Sequence, residues 1–387
     1  MHSSALLLLS LVVLRAQQCD EGMASGGSSS STSSTSTSSS STSTSTSTST
    51  SSVIDAHLHV WSADWPYAEG QAPGAALDGD ARVGSAEALL RRMDDAGVGR
   101  ALIVQPITYK FDHAYVAHCL AAWPRRFRGM ALADPSLAPA EAVATLRAVV
   151  AAAGSSAPDD GDNSGGGGSS TSSSSSSSSS PWTGVRFNPY LWPGGECRMA
   201  DATGQALFEE AGRLGLAVGF MTFKGLLPLA DDIEALLGRF PGTAAVLDHW
   251  GFFHQPAGRA ATAGGAADEE AWDRLLAMGR RFPQLHVKLS ALFRVTGLGQ
   301  AAAANQADTD DADASYADLR PRLAALLGVF GADRLMWGSD FPYVVLEAGG
   351  YSGSKAALEA MLGDLGVGEA DAAMVLGGTA QKLFFAR

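Results

Sequence analysis

Basic side chains, cysteines and long apolar runs are all scarce in this sequence. The chain has 27 Lys and Arg against 40 Asp and Glu, which gives a formal net charge of −13. Binding to a phosphate backbone needs clustered positive charge, so the composition argues against nucleic acid as a partner. The three cysteines, Cys19, Cys119 and Cys197, are too few and too scattered for a disulfide framework or a thiolate metal cage.

The N-terminus carries a short apolar run, Leu6 to Leu14, which is interrupted only by Ser10. The run is too short to span a bilayer but has the length of a signal-peptide core. No Lys or Arg precedes it and Arg15 follows it, which is atypical of a signal peptide. We interpret residues 1–23 as a signal segment, an organelle-targeting segment or a dispensable N-terminus, so the compartment stays open. No later segment is apolar for long enough to cross a membrane, and we expect a soluble mature protein without a membrane partner.

Two low-complexity tracts interrupt the rest of the chain. Residues 24–52 are almost entirely Ser and Thr, and residues 154–180 are mostly Gly, Asp and Ser. Neither tract has apolar groups whose burial could offset the entropy of ordering, so both are predicted to be disordered. The remaining residues, from 53 to 387 without the second tract, number roughly 300, which suits one barrel domain with a surface insertion.

Short β-branched runs alternate with longer helical patterns after residue 52, which indicates βα units on a parallel sheet. The predicted strands are Val53–Val60, Ala101–Pro106, Phe127–Ala133, Gly184–Pro189, Leu216–Phe223, Ala244–His249, Leu285–Ser290 and Leu335–Asp340. The predicted helical stretches include Ser85–Ala96, Pro139–Ala152, Ala206–Leu214, Ala230–Phe240, Glu269–Phe282 and Tyr316–Phe330. Eight such units predict an α/β fold of the (β/α)₈ TIM-barrel type, with a doubly wound open sheet as the alternative.

Polar residues at the strand ends favour the barrel over the open sheet. They are His57 and His59, Asn188, His249, Ser290 and Asp340. Barrel enzymes build their sites at the C-terminal ends of many strands, whereas an open sheet confines its ligand to the switch point. His57 and His59 are two residues apart and therefore share one face of strand one. Strands one and eight are neighbours in a closed barrel, so Asp340 is expected within contact distance of both histidines.

Three motifs on strands one, six and eight together resemble a known family. They are Ile54-Asp55-Ala56-His57-Leu58-His59, Val246-Leu247-Asp248-His249-Trp250-Gly251 and Gly338-Ser339-Asp340-Phe341-Pro342. Their order and placement resemble the amidohydrolase-related family, in the branch that contains lactone hydrolases and non-oxidative decarboxylases. The resemblance runs from Val53 to about Phe385, excluding the insertions.

The resemblance also implies a set of metal ligands. In metal-dependent relatives the paired histidines and the eighth-strand aspartate hold a divalent cation, usually zinc, with help from a histidine at the end of strand five. Here the equivalents are His57, His59 and Asp340, but the fifth strand contains no histidine. That difference favours the metal-free mechanism of some lactonases in this branch, with one zinc ion as the alternative, because three protein ligands still suffice for a catalytic zinc.

The same residues predict a mechanism of hydrolysis. Asp340 is expected to accept a proton from the attacking water, while His57, His59 and His249 stabilise the charge that develops on the carbonyl oxygen. For His249 the alternative is a core histidine bonded to a backbone carbonyl.

The substrate-binding candidates lie at the ends of other strands. They are Arg186, Asn188, Tyr190 and Lys224, to which Lys288 and Arg294 could add positive charge. Arg186 shares a face with Asn188 and either binds a substrate carboxylate or forms a structural ion pair within the barrel. Together with the resemblance to the lactone hydrolases of the family, these residues imply hydrolysis of a lactone or ester in a small carboxylated substrate. A decarboxylase and a non-catalytic small-molecule-binding barrel are the alternatives, and a homo-oligomer is left open.

Overall fold

The computed structural model describes the part of the chain that carries the predicted strands and helices. It covers residues 53–74, 77, 83–152, 180–193, 198–253, 266–297, 316–347 and 349–386. Apart from Gly74, all of these belong to one compact unit. The predicted N-terminal segment, the Ser/Thr tract and all but the last residue of the insertion at 154–180 lie outside the described residues.

Eight parallel strands form one sheet in which each strand pairs with the next along the chain. They are β1 (Val53–Leu58), β2 (Val98–Val104), β3 (Phe127–Leu132), β4 (Trp182–Phe187), β5 (Ala217–Phe220), β6 (Ala245–Leu247), β7 (Leu285–Ser290) and β8 (Leu335–Gly338). Every one overlaps a predicted strand. The sheet closes because Leu58 pairs in parallel with Phe341, and the His59 backbone N–H donates to the Phe341 carbonyl at 2.7 Å. The protein is therefore the predicted (β/α)₈ TIM barrel.

Helices flank the barrel in the connections between strands. They are α1 (Ala86–Asp95), α2 (Ala114–Ala122), α3 (Pro139–Ala152), α4 (Ala202–Arg213), α5 (Leu227–Arg239), α6 (Ala266–Arg281), α7 (Leu292–Val295), α8 (Leu319–Phe330), α9 (Gly350–Asp364) and α10 (Glu369–Ala373). Side-chain caps fix two of their starts: Ser85 accepts from the Ala88 N–H, and Asp201 accepts from the Gly204 N–H. None of the helices in the described ranges combines the length and apolar character that crossing a membrane requires.

The barrel interior is packed with apolar side chains below the level of the site. Ile54, Ala56, Val246 and Met336 belong to this interior cluster, and Phe384 from the C-terminal turns packs with them. On β1 the alternation of inward and outward side chains is interrupted after Ala56. Leu58 packs in the outer core, and a shift in the β1–β2 register lies between Asp55 and Leu58. The shift allows His57 and His59 to face inward above Ile54 and Ala56, so the C-terminal end of the barrel is polar.

Candidate active site

His57 and His59 stand at the end of β1 with their rings edge to face, 5.1 Å between centroids. Both are buried, and each is anchored through Nδ1. His57 Nδ1 lies 3.0 Å from Asp248 Oδ1, and His59 Nδ1 lies 2.8 Å from the Val104 carbonyl oxygen. A carbonyl only accepts, so Nδ1 of His59 must carry the hydrogen, and Nε2 of the neutral ring presents a lone pair.

Asp340 follows β8 and reaches the same place. Its backbone N–H donates to the His57 carbonyl at 2.9 Å, as neighbouring strands one and eight predict. Its φ of +62° is left-handed, a conformation that non-glycine residues rarely adopt and that clusters at functional sites. Oδ1 of Asp340 lies 3.9 Å from His57 Nε2 and 3.8 Å from His59 Nε2. The carboxylate therefore faces both predicted histidines.

His249 completes the cluster from the end of β6. Its Nε2 is 3.9 Å from the same Oδ1 of Asp340, and its ring is 4.3 Å from that of His57. Its Nδ1 is 2.8 Å from Ser290 Oγ, so the alternative of a core histidine bonded to a backbone carbonyl does not describe it. One carboxylate oxygen thus faces the Nε2 atoms of three histidines.

All three imidazoles are buried away from water, which disfavours their charged forms. Burial lowers the pKa of His57 to about 3, although the charge of Asp248 opposes that shift. Burial likewise holds the pKa values of His59 and His249 well below the usual range. Among the described residues, the buried Nε2 of His57 has no hydrogen-bond partner. A nitrogen lone pair of this kind, beside a carboxylate oxygen, is suited to binding a metal cation.

Asp248 lies in the candidate site, although the sequence pattern did not single it out as a site residue. Adjacent residues on a strand point to opposite faces, so the presence of His249 in the site predicts that Asp248 faces away. In the structure His249 has a φ of +48°, which breaks the alternation and lets both side chains turn inward. The pair Asp248-His249 at a predicted strand end was the available signal. This signal was insufficient because the order of polar and apolar residues does not predict a left-handed backbone at His249.

Two cations from other strands meet Asp248. Arg186 on β4 places Nε and Nη2 at 3.0 Å from Oδ2, and Lys288 on β7 places Nζ at 3.1 Å from Oδ1. Burial alone would raise the pKa of Asp248, but Lys288, His57 and Arg186 together hold it well below its usual value. The guanidinium of Arg186 is thus engaged in the structural ion pair that the sequence offered as one of its two roles.

Arg294 holds the other oxygen of Asp340. Its Nε donates to Oδ2 at 2.7 Å, and its guanidinium stacks on the Tyr343 ring at 4.6 Å. Burial raises the pKa of Asp340, and the positive charge of Arg294 opposes that rise. The Arg294 side chain is 23% exposed, whereas that of Asp340 is 2% exposed, so part of the arginine side chain reaches solvent and the carboxylate does not.

The remaining substrate-binding candidates form a separate group after β4 and β5. The Asn188 side chain accepts from the Tyr190 N–H at 3.2 Å and so caps the short turn Pro189–Leu191. The Tyr190 hydroxyl accepts from the Lys224 N–H at 2.6 Å, and the Lys224 ammonium lies over the Tyr190 ring at 4.6 Å. Asn188 and Tyr190 therefore shape the loop that carries them.

The cluster has the chemistry of a metal site. Ligand atoms of His57, His249 and Asp340 all lie within 4.8 Å of one another, and this set could hold a metal ion. His57 and Asp340 are two of the three ligands that the sequence proposed, and His249 is the third member of this set, while His59 Nε2 faces the same oxygen of Asp340 at 3.8 Å. β5 contributes no histidine, and Thr222 after it donates instead to the Gly251 carbonyl. Neutral imidazole nitrogens with one carboxylate oxygen are a donor set that zinc accepts.

A family model described as amidohydrolase matches residues 54–386, nearly the whole described barrel. The chain belongs to the amidohydrolase family. No curated protein matches it significantly. The assignment agrees with the resemblance of the three strand motifs.

Solved structures with the amidohydrolase barrel include proteins of different reported chemistry. An amidohydrolase from Burkholderia multivorans with bound zinc is 21% identical, with a TM-score of 0.61 over 86% of this chain and 99% of that one. A candidate 2-pyrone-4,6-dicarboxylic acid hydrolase from Pseudomonas putida is 22% identical, with a TM-score of 0.55 over 86% and 97%. A 2,6-dihydroxybenzoate decarboxylase from Rhizobium is 14% identical, with a TM-score of 0.54 over 86% and 98%. These similarities establish the fold, and membership of the amidohydrolase family indicates an enzyme.

Proposed function

We propose that this amidohydrolase hydrolyses a lactone or ester bond in a small carboxylated substrate, with Asp340 activating the water. The observation that supports the proposal is the position of Asp340. One of its oxygens faces three histidine nitrogens, and the other is held by Arg294. This is the carboxylate at a strand end that touches both a histidine cluster and a solvent-accessible cation.

Asp340 is arranged to act as a general base. Arg294 fixes Oδ2, so Oδ1 is the oxygen that is available to accept a proton from water in the histidine cluster. Burial raises the pKa of Asp340 and so makes the ionised carboxylate a stronger base. A positioned base of this kind contributes about 10²- to 10⁴-fold to the rate. After the tetrahedral intermediate forms, the protonated carboxyl can return the hydrogen to the leaving oxygen.

The tautomers of His57 and His59 favour a metal-assisted mechanism over a metal-free one. His57 and His59 carry their hydrogen on Nδ1, because those atoms face Asp248 and a backbone carbonyl, so a neutral Nε2 accepts and does not donate. They therefore do not supply the hydrogen bonds to a carbonyl oxygen that the metal-free mechanism requires of them. We accordingly favour one divalent cation, zinc first, which revises the metal-free preference drawn from the missing fifth-strand histidine.

The residues that would hold the cation are His57, His249 and Asp340, with His59 Nε2 also facing the same carboxylate oxygen. When bound, a divalent cation polarises the substrate carbonyl and lowers the pKa of water. Exhaustive chelation of the purified protein, followed by metal analysis and assay, tests this part. Full activity after the metal has been removed would restore the metal-free alternative.

A carboxylated substrate is supported by the placement of Arg294. Its side chain is partly exposed and binds Asp340 through Nε, so its two Nη atoms are the ones that a substrate carboxylate would pair with. The Pseudomonas putida protein is named for a dicarboxylic acid, which is in keeping with an anionic substrate. Lys224 and Tyr190, with Asn188, remain candidates for contacts farther from the reacting carbonyl. Arg186 becomes a weaker candidate, because two of its nitrogens already bind Asp248.

Decarboxylation is the second candidate, because a barrel of the same fold is a 2,6-dihydroxybenzoate decarboxylase. The two reactions are separated by product. A panel of lactones and esters followed by acid release, beside a panel of hydroxybenzoates followed by CO₂ release, identifies the reaction class. Binding without turnover in both panels would support the non-catalytic barrel.

The replacement Asp340→Asn tests the base directly. It keeps the shape of the side chain and removes its basicity, so kcat should fall by about 10²-fold or more while the protein stays folded. Asp371→Asn on the exposed face of α10 is the matched control and should leave kcat unchanged. If the parent binds a cation that Asp340→Asn loses, Asp340 is also a ligand. Full activity in Asp340→Asn would contradict the proposed mechanism.

A further inference from the structure

Asp248 has every part of its carboxylate occupied by nitrogen donors. Its side chain is fully buried, Oδ2 receives two nitrogens of Arg186, and Oδ1 receives His57 Nδ1 and Lys288 Nζ. The donors come from three different strands. A buried carboxylate with this many donors is fixed in orientation, because any rotation would break hydrogen bonds that no water can replace.

Lys288 lies where it can affect His57. Its side chain is fully buried, with Nζ 3.1 Å from Asp248 Oδ1 and 3.2 Å from His57 Nδ1. An ammonium only donates hydrogen bonds. If Nδ1 of His57 were bare and accepted from Lys288, its lone pair would face Asp248 Oδ1 at 3.0 Å, which is repulsive. The favourable arrangement has Lys288 and the Nδ1–H of His57 both donating to Oδ1.

The hydrogen on Nδ1 determines the character of the other ring nitrogen. A neutral imidazole carries one hydrogen, so Nδ1–H leaves Nε2 with a free lone pair. Nε2 of His57 is buried, lies 3.9 Å from Asp340 Oδ1 and has no hydrogen-bond partner within the described ranges. The state of Nε2 therefore depends on the group that faces Nδ1.

We propose that Lys288 is a positioning residue that acts through Asp248 to hold His57 as the Nδ1–H tautomer, with Nε2 bare toward Asp340. Arg186 cannot replace it, because both of its contacts are made to Oδ2. Without Lys288, Oδ1 keeps only one of its two donors and the buried carboxylate loses the nearest positive charge. Arg186 still holds Oδ2, but Oδ1 can then turn away from His57 Nδ1, and the hydrogen on His57 is no longer confined to Nδ1. The tautomer of His57 is inferred independently of the proposed function, and only the identity of the group that Nε2 binds rests on that function.

Histidine-selective ¹⁵N NMR of the whole chain tests the tautomer without any assay of activity. The parent should show the hydrogen of His57 on Nδ1, assigned by the signal that disappears in His57→Gln. Lys288→Met should lose that signal or shift it toward Nε2–H while keeping the circular dichroism of a folded barrel. Lys355→Met, which removes a helix-surface lysine paired with Glu359, should leave it unchanged. Hydrogen on Nε2 in the parent, or an unchanged tautomer in a folded Lys288→Met, would overturn the proposal.

A second measurement on the parent covers the case in which Lys288→Met does not fold. A hydrogen-bond scalar coupling between Lys288 Nζ and Asp248 Cγ is expected beside the Nδ1–H signal of His57. Absence of that coupling overturns the proposal, and its presence together with Nδ1–H supports it.

Titration with zinc ions extends the test to metal binding. Affinity should be about 10- to 100-fold weaker in Lys288→Met than in the parent, as for other groups that orient a ligating histidine, and unchanged in Lys355→Met. If the parent binds no zinc, the metal part of the proposed function fails while the tautomer result still decides the role of Lys288.

Discussion

Among single residues, Arg294 has the most direct influence on the basicity of Asp340. Burial raises the pKa of Asp340, and the positive charge and the hydrogen bond of Arg294 lower it again. Arg294→Gln removes the charge, so the pKa of Asp340 should rise further. Because the base must be ionised, the acid limb of kcat/KM should move to higher pH, and Arg294→Lys should move it less. The pH–rate profile measures this, and an acid limb at the same pH in all three proteins would rule out Asp340 as the titrating base.

Arg186 gives a second prediction at this scale. Its pair with Asp248 is buried, and removal of one partner from a buried ion pair costs about 3–5 kcal/mol. Arg186→Met should approach the lower end of that range, since Lys288 still neutralises Asp248. Urea unfolding measures the loss. Lys355→Met, which breaks a helix-surface pair with Glu359, is the control and should cost less than about 1 kcal/mol. A stable Arg186→Met with a raised KM would show instead that Arg186 binds the substrate.

The clustering of His57, His59, His249 and Asp340 could be predicted from the sequence because each stands at the end of a predicted strand. To place His57 and His59 on one face required only the two-residue period of a strand, and to place Asp340 beside them required only that strand eight closes onto strand one. Asp248 was missed because the left-handed backbone at His249 breaks that period.

At the scale of elements, Asp55 connects β1 to β8 and to α9. Its Oδ1 accepts from the Ser339 N–H at 3.0 Å, and its Oδ2 accepts from the Tyr351 hydroxyl at 2.9 Å. Tyr351→Phe removes the second bond and leaves a buried carboxylate oxygen without that donor. A hydrogen bond to a charged group contributes about 1.5–3 kcal/mol, which is the expected loss in the free energy of unfolding near pH 8.

The pH dependence of that loss follows from Asp55. Burial raises the pKa of Asp55 to about 6, so in the folded protein the ionised form is disfavoured relative to the unfolded chain. Below about pH 6 Asp55 is protonated in the folded state and depends less on the Tyr351 hydroxyl. The difference between parent and Tyr351→Phe should therefore shrink as the pH falls from 8 to 5. An equal loss at both pH values would contradict the role of Asp55 as the acceptor.

Elements were predictable to the extent that their patterns were periodic. The strands are buried on both faces and read as short β-branched runs, so all eight were found. α2 and α9 were not among the predicted stretches. α2, Ala114–Ala122, is apolar nearly all round and has no clear amphipathic period. α9 contains Gly350 and Gly353, which are poor helix formers, and packing of Tyr351 and Leu358 against the barrel offsets that cost.

At the scale of the whole molecule, the barrel accounts for the described fold. The connection between α3 and β4 begins and ends at neighbouring positions on the barrel. Ser180 Oγ donates to the Val150 carbonyl at 2.7 Å, so the two ends of the connection through residues 153–179 are in contact. A loop whose ends already meet need not bridge any distance. The composition of residues 154–180 predicts that they bury no apolar surface, and on that prediction the length of the connection changes the stability only through the entropy of closure, which depends on the logarithm of the number of residues.

Deletion of residues 1–50 together with residues 161–179, with Ser180 retained, should therefore leave the barrel intact. Shortening the loop to about a third of its length lowers the closure cost by about 1 kcal/mol, so the thermal midpoint should stay within a few degrees of the parent or rise slightly. Scanning calorimetry measures the midpoint, and zinc titration reports whether the histidine cluster keeps its geometry. Ser180→Ala in the undeleted chain is the matched control for the contact with Val150, and it should lower the midpoint more than the deletion does. If the deleted chain does not fold while Ser180→Ala does, the removed residues contribute packing that the barrel requires, and the single-barrel account of stability is wrong.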